Sequence, residues 1–241
     1  MDEQGFRLRV AYVKIGRLCY LSHLEVVRAQ ERLIRRARLP YAITNGFSPH
    51  MKVAFGPALG VGTGGLEEYL DVTLTSYVEP GEALRRLQAS AAESLMPMRA
   101  GYLSPREPSL TVTLNVSHYR ALVEGAPHPS EELVEILARA SEELRGRGFI
   151  EVERKKPTKK GERTRRLDLS ELLFRPPSVA ADADGAVVDL WTRVLPTGAL
   201  RPEVFLGALS EQAHVALVTR ELTRLEQFRE AKDGTLSKPF D

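Results

Sequence analysis

Apolar and polar residues follow two periods along this chain, and the two periods predict a mixture of strands and helices. Residues 6–15 alternate in part and predict a strand, and residues 68–77 predict another. Ser22, with an acidic residue three positions later, has the capping-box pattern that begins a helix, and Pro40 ends that helix. A second helix is predicted over residues 79–95.

The second half of the chain shows the same order of elements, from a predicted strand at 110–124 onward. Each half reads as β-α-β-β-α-β, which is the connectivity of a ferredoxin-like unit. We therefore predict an α+β protein with two ferredoxin-like units in tandem. The predicted units span residues 1–105 and 106–225, and residues 226–241 are predicted to form a polar tail.

Composition excludes several classes of protein. The chain has 241 residues, of which 43% are hydrophobic and 27% charged, and its net charge of +2 predicts no particular partner by itself. Cys19 is the single cysteine, so this sequence cannot by itself supply the three or four thiolates of an iron–sulfur cluster. A lone thiol, no secretory pattern at the start and no apolar run of membrane-spanning length predict a cytoplasmic protein without a membrane partner. We expect no cofactor and no metal site.

The first predicted helix carries a stripe of arginines. Arg28, Arg32, Arg35 and Arg36 fall on the side opposite its apolar positions. These residues could bind phosphates, and we name them as candidate RNA-binding residues. The alternative is a solvated face that matches the helix dipole, with Glu31 paired to Arg35.

Two histidines are candidates for acid–base chemistry. His23 lies in the first turn of the first helix, and His50 lies in a loop beside Phe47 and Lys52. An aromatic ring, an imidazole and an ammonium group within six residues suit contact with a nucleotide. The alternative for the loop is a hairpin turn in which Phe47 packs inward, and the alternative for His23 is a structural role.

Two carboxylates follow the glycine-rich segment 60–65, which lacks the lysine and hydroxyl residues of a phosphate-binding P-loop and predicts a turn. Paired carboxylates can carry out acid–base chemistry. Glu68 and Asp71, however, would face different sides of a regular strand.

The densest positive charge lies between residues 154 and 166, where eight cations and one anion occur in thirteen residues. Such a cluster most often binds phosphate backbones, and the alternative is a solvated hairpin tip. The candidate RNA-binding residues in this basic segment are Lys155, Lys156, Lys159, Lys160, Arg163, Arg165 and Arg166.

Two motifs in the first half resemble those of a known family. Residues 20–25, Tyr-Leu-Ser-His-Leu-Glu, and residues 46–52, Gly-Phe-Ser-Pro-His-Met-Lys, resemble motifs of a bacterial domain of unknown function called radical-SAM-associated or radical-SAM-linked. Members of that family are fused to, or encoded beside, a B12-binding radical-SAM protein. The resemblance therefore implies that such a protein is the partner.

These observations lead to a functional hypothesis with two alternatives. The leading hypothesis is an accessory protein that binds RNA, either tRNA or rRNA, for modification by a radical-SAM partner. The first alternative is an RNA-processing endonuclease in which His23 or His50 acts as the acid–base residue. The second is an adaptor that contacts only protein.

Overall fold

The computed structural model describes residues 5–104, 106–154 and 163–240, and within them the chain is a mixed α+β structure, as predicted. The helices are α1 (His23–Arg36), α2 (Pro80–Ser90), α3 (Leu110–Thr113), α4 (Ser130–Arg147), α5 (Leu169–Leu172) and α6 (Pro202–Ala213). The strands are β1 (Phe6–Lys14), β2 (Val53–Phe55), β3 (Gly64–Leu74), β4 (Pro97–Tyr102), β5 (Val116–Glu124), β6 (Phe149–Arg154), β7 (Arg163–Asp168), β8 (Ser178–Asp182), β9 (Gly185–Leu195), β10 (Gly198–Ala199), β11 (Val218–Glu230) and β12 (Leu236–Ser237).

The chain divides into two compact units. Unit 1 consists of Met1–Asn115 and Arg224–Asp241, and unit 2 consists of Val116–Thr223. The end of the chain thus returns to the unit in which the chain begins. Residues 226–230, predicted to open a polar tail, instead continue β11, and Gln227 is fully buried there.

Unit 1 is built on an antiparallel sheet in which β2, β3, β1 and β4 are neighbours in that order. β11 also pairs with β3, and β12 pairs with β11. Leu8, Val10 and Tyr12 alternate along β1 onto one face of the sheet, where they join a core that includes residues of α1 and α2. On the other side of the sheet a smaller apolar cluster forms around Tyr69 and Leu110.

Helix α1 follows the predicted pattern. The carboxylate of Glu25 accepts hydrogen bonds from the backbone N–H of Ser22 at 2.8 Å and from its hydroxyl at 2.7 Å. Val26, Leu33 and Ile34 recur at helical spacing and are buried. The start and the buried face of this helix were therefore readable from the sequence.

We predict that the pKa of Glu25 lies below the ordinary value for glutamate, because the two hydrogen bonds from Ser22 stabilise the carboxylate. A lowered folded pKa means that the interaction contributes to stability above the unfolded pKa and is lost as the pH falls through the folded value. A side-chain carboxyl NMR titration of the wild type and of Ser22→Ala tests this. The pKa should move back toward the ordinary value in the variant, and an unchanged titration would contradict the assignment.

In unit 2, β8, β9, β5 and β11 are neighbours in that order, and β9 pairs antiparallel with both β8 and β5. β6 and β7 form a separate two-stranded sheet. Buried residues of α4 and α6, such as Leu137 and Phe205, share one core with those of β5 and β9. The strand predicted at 110–124 begins only at Val116, because residues 110–113 form the short helix α3.

Within the described parts of the chain, no helix combines the length and the apolar character needed to cross a lipid bilayer.

Candidate functional site

A small cavity in unit 1 contains one of the two candidate histidines. Tyr12, Lys14, His23, Phe55 and Glu68 are among the residues that line it. About 20 Å³ of the cavity is open to a molecule the size of water, which is room for about one water. The cavity is therefore too small to hold a nucleobase.

His23 is the first residue of α1 and is exposed at the cavity. Its ring meets the ring of Phe55 edge-on, with 5.7 Å between the ring centroids. A strand residue thus orients the imidazole, and its exposed side remains accessible.

Buried charged residues lie beside His23, and of these only Glu68 stood out in the sequence as a candidate. The guanidinium of Arg224 holds the carboxylate of Glu68, with Nε 2.8 Å from Oε1, and both side chains are almost fully buried. Arg224 also donates to the carbonyl of Pro57 at 2.6 Å. Burial raises the pKa of Glu68, and the positive charge of Arg224 opposes that rise.

Lys14 lies in the same cavity wall. Its Nζ donates to the carbonyl of Cys19 at 2.9 Å and to the carbonyl of Thr63 at 3.3 Å. Burial lowers the pKa of this ammonium group, which is the direction required of a lysine that takes part in proton transfer. Burial also raises the pKa of the Tyr12 hydroxyl. The alternation along β1 could have predicted that Tyr12 and Lys14 point inward, since both share a face of the strand with Val10.

Glu68 and Asp71 do not form a carboxylate pair. Asp71 binds the guanidinium of Arg9, with Nε–Oδ1 and Nη2–Oδ2 distances of 2.8 and 3.0 Å, whereas Glu68 binds Arg224. The two acids hold different arginines inside unit 1, so each carries a structural ion pair.

The loop with the second histidine is displayed at the surface. Phe47 is fully exposed, which excludes the inward packing considered as an alternative. His50 is exposed, and its backbone N–H donates to Oγ1 of Thr44 at 3.0 Å. The cavity lining includes His23 but not His50. Lys52 is exposed and lines a different pocket of unit 1.

The arginine stripe on α1 is exposed at all four positions, Arg28, Arg32, Arg35 and Arg36. Arg35 pairs with Glu31 at 3.4 Å, which is the pairing named in the alternative interpretation. Arg28 lies close enough to Glu25 to help lower the pKa of that carboxyl. Among the described residues, no ion pair occupies Arg32 or Arg36. The stripe is thus partly neutralised at two positions and available at the other two.

The basic segment belongs to unit 2 and is only partly described. Lys155, Lys156, Lys159 and Lys160 lie outside the described residues. Arg163 lies in β7, where its backbone pairs with Arg154. Arg165 donates to the carbonyl of Thr197. Arg166 packs its guanidinium over the ring of Phe149, 3.4 Å from the centroid, and lies 3.7 Å from a carboxylate oxygen of Glu151.

The described residues contain no group of three or more histidine, cysteine, aspartate or glutamate side chains that could hold a metal ion.

Comparison with known proteins gives one family. Residues 7–202 match the family described as "Uncharacterized protein conserved in bacteria (DUF2344)". The sequence matches no curated protein.

The solved structures to which this chain is similar include two complexes that contain Cbf5 and Nop10. One is a Cbf5–Nop10–Gar1 complex, with a TM-score of 0.46 and 13% identity, in which the match covers 95% of this chain and 51% of that chain. The other is an archaeal box H/ACA sRNP Nop10–Cbf5 complex, with a TM-score of 0.44 and 12% identity, covering 95% and 50%. This chain therefore spans about half the length of the chains that it matches.

Proposed function

Since the chain belongs to DUF2344, a conserved bacterial family without a characterized function, we propose that it is an accessory protein that binds RNA for a modifying enzyme. The observation that carries the proposal is the exposure of cationic and aromatic side chains on unit 1. Arg32 and Arg36 have no anionic partner among the described residues, and Phe47 is fully exposed.

The chemistry of these groups suits single-stranded or looped RNA. Guanidinium groups bind phosphates through paired N–H donors. An exposed ring offers a stacking surface to any base, which favours recognition of unpaired nucleotides. The net charge is only +2, so binding would depend on these local groups and not on the charge of the whole molecule.

The proposed partner is a B12-binding radical-SAM protein, and RNA, as tRNA or rRNA, is the proposed substrate of that partner. The support is the resemblance of residues 20–25 and 46–52 to the radical-SAM-associated motifs. With Cys19 as the single thiol of this sequence, the iron–sulfur cluster of such a reaction would be held by the partner.

We also propose that both units are ferredoxin-like. In unit 1 the first four strands lie in the order second, third, first, fourth, as β2-β3-β1-β4. In unit 2 the order β8-β9-β5-β11 is the same when β6 and β7 are treated as an inserted hairpin. The strands and helices thus follow the same order in unit 1 as in unit 2, which supports a tandem arrangement.

The proposal is tested by measuring the affinity of the protein for tRNA and for a single-stranded oligoribonucleotide over a range of salt concentrations. We expect Arg32→Gln/Arg36→Gln to reduce the slope of log affinity against log salt by about 1.4, since each phosphate contact on a single strand contributes about 0.7. The matched control is Arg85→Gln/Arg86→Gln, which removes the same charge from α2, where both arginines pair with the carboxylate of Glu82.

Three results would contradict the proposal. Absence of RNA binding by the wild type would end it. Metal-independent cleavage of the probe that is lost in His23→Ala would favour the endonuclease instead. A partner protein retained at high salt after nuclease treatment, without affinity for RNA, would favour the adaptor.

A further inference from the structure

Three aromatic rings meet at the rim of an open pocket in unit 1. The rings of Tyr77 and Tyr102 are stacked, with centroids 5.0 Å apart, and Phe6 meets both edge-on at 5.8 and 6.1 Å. All three line a pocket of about 510 Å³, which lies within the range of ligand sites.

Hydrogen bonds hold the Tyr102 ring, and the other two rings are partly exposed. The hydroxyl of Tyr102 accepts from the backbone N–H of Val78 at 3.0 Å and lies 2.8 Å from the carbonyl of the same residue. Tyr77 is nevertheless 59% exposed and Phe6 43% exposed. Exposed aromatic surface packed against a ring that is held in place is typical of an interaction site.

Two cationic side chains line the same pocket. Lys52 is exposed, and Arg7 is half-buried. Arg7 donates from Nη2 to the carbonyl of Glu107, but its buried Nε–H has no hydrogen-bond partner among the described residues. The guanidinium of Arg7 and the ammonium group of Lys52 thus place two positive charges at the pocket.

We propose that this pocket binds a nucleotide of single-stranded RNA, with its base stacked on Tyr77 and its phosphate contacted by Lys52 and Arg7. The combination of a rigid ring stack with cations is the arrangement by which proteins bind unpaired bases. The inference rests on the proposed RNA-binding function and specifies a site for it. In this site Lys52 shares the pocket with Phe6 and Tyr77.

The test compares two fluorescent probes by anisotropy. One is a twelve-nucleotide single-stranded RNA without self-complementarity, and the other is an abasic backbone of the same length. Tyr77→Ala should weaken binding of the RNA roughly tenfold and leave binding of the abasic probe unchanged. Tyr77→Phe keeps the ring and should bind the RNA as the wild type does. Tyr20→Ala is the matched control, because Tyr20 is 72% exposed in unit 1 but does not line this pocket.

The outcomes separate the site from the function. Wild-type binding of RNA with an unchanged affinity in Tyr77→Ala would overturn the site and leave the proposed function in place. Equal losses for both probes would also overturn it, because the ring would then act on the fold or the backbone and not on a base. Absence of RNA binding by the wild type, with capture of an apolar peptide by the same pocket, would overturn the proposed function and the site together.

Discussion

Replacement of Arg224 by methionine is expected to lower the free energy of unfolding by about 3–5 kcal/mol, because it leaves the carboxylate of Glu68 buried without its partner. The side chain of Arg224 is 1% exposed and that of Glu68 is 7% exposed. Urea denaturation followed by circular dichroism measures the change. The matched control is Arg220→Met on the same strand, since the pair of Arg220 with Glu124 is exposed and should contribute about 1 kcal/mol or less.

The decrease in the free energy of unfolding caused by Arg224→Met should also depend on pH. Burial raises the pKa of Glu68, and removal of the nearby positive charge raises it further. A group whose pKa is raised in the folded state contributes stability at pH values below its unfolded pKa. That stability is lost as the pH rises through the folded pKa. The variant should therefore lie closer to the wild type in mildly acidic buffer than in alkaline buffer. A second substitution, Glu68→Gln, should recover part of the loss; an equal deficit at every pH, with no recovery, would contradict a buried ion pair.

The second large effect is expected in the basic segment. Substitution of Lys155, Lys156, Lys159 and Lys160 by alanine should reduce the salt slope of RNA binding by about 3, since four contacts each contribute about 0.7. Because the two binding curves converge toward high salt, the affinity at about 50 mM salt should fall on the order of a thousandfold. The reason is the clustering of eight cations between residues 154 and 166.

Two controls distinguish local contacts from net charge. Arginine at the same four positions keeps the charge and should preserve most of the affinity. Removal of four exposed cations elsewhere (Arg85, Arg86, Arg106 and Arg139→Gln) gives the same net charge and should have a small effect. A salt slope equal to that of the wild type after removal of the lysines would show that the segment does not contact phosphate.

Local patterns predicted the parts of the fold that depend on neighbouring residues. The start of α1 at Ser22 and its buried face follow from hydrogen bonds and contacts within a few positions. The alternation along β1 likewise places Leu8 and Val10 in the core. Such elements could be read from the sequence because their determinants are close together in the chain.

The candidate site could be predicted only in part, because its remaining members are distant in sequence. Glu68 and Arg224 are separated by 156 positions, and no spacing rule relates them. Tyr77 follows β3 and Tyr102 ends β4, and they meet because both strands lie beside β1 in the sheet. His23 and Phe47 were identified because each stands in a short motif. Whether such motif residues share a cavity depends on the tertiary fold, and the cavity beside His23 does not include His50.

The division of unit 1 into Met1–Asn115 and Arg224–Asp241 has a consequence for biosynthesis. A ribosome adds about 5–20 residues per second, so Glu68 would wait on the order of ten seconds for Arg224 to be synthesised. During that interval the nascent chain carries an unneutralised acid destined for its interior. Completion of unit 1 would therefore follow translation of the whole of unit 2, because residues 224–241 belong to unit 1 and come after unit 2 in the chain.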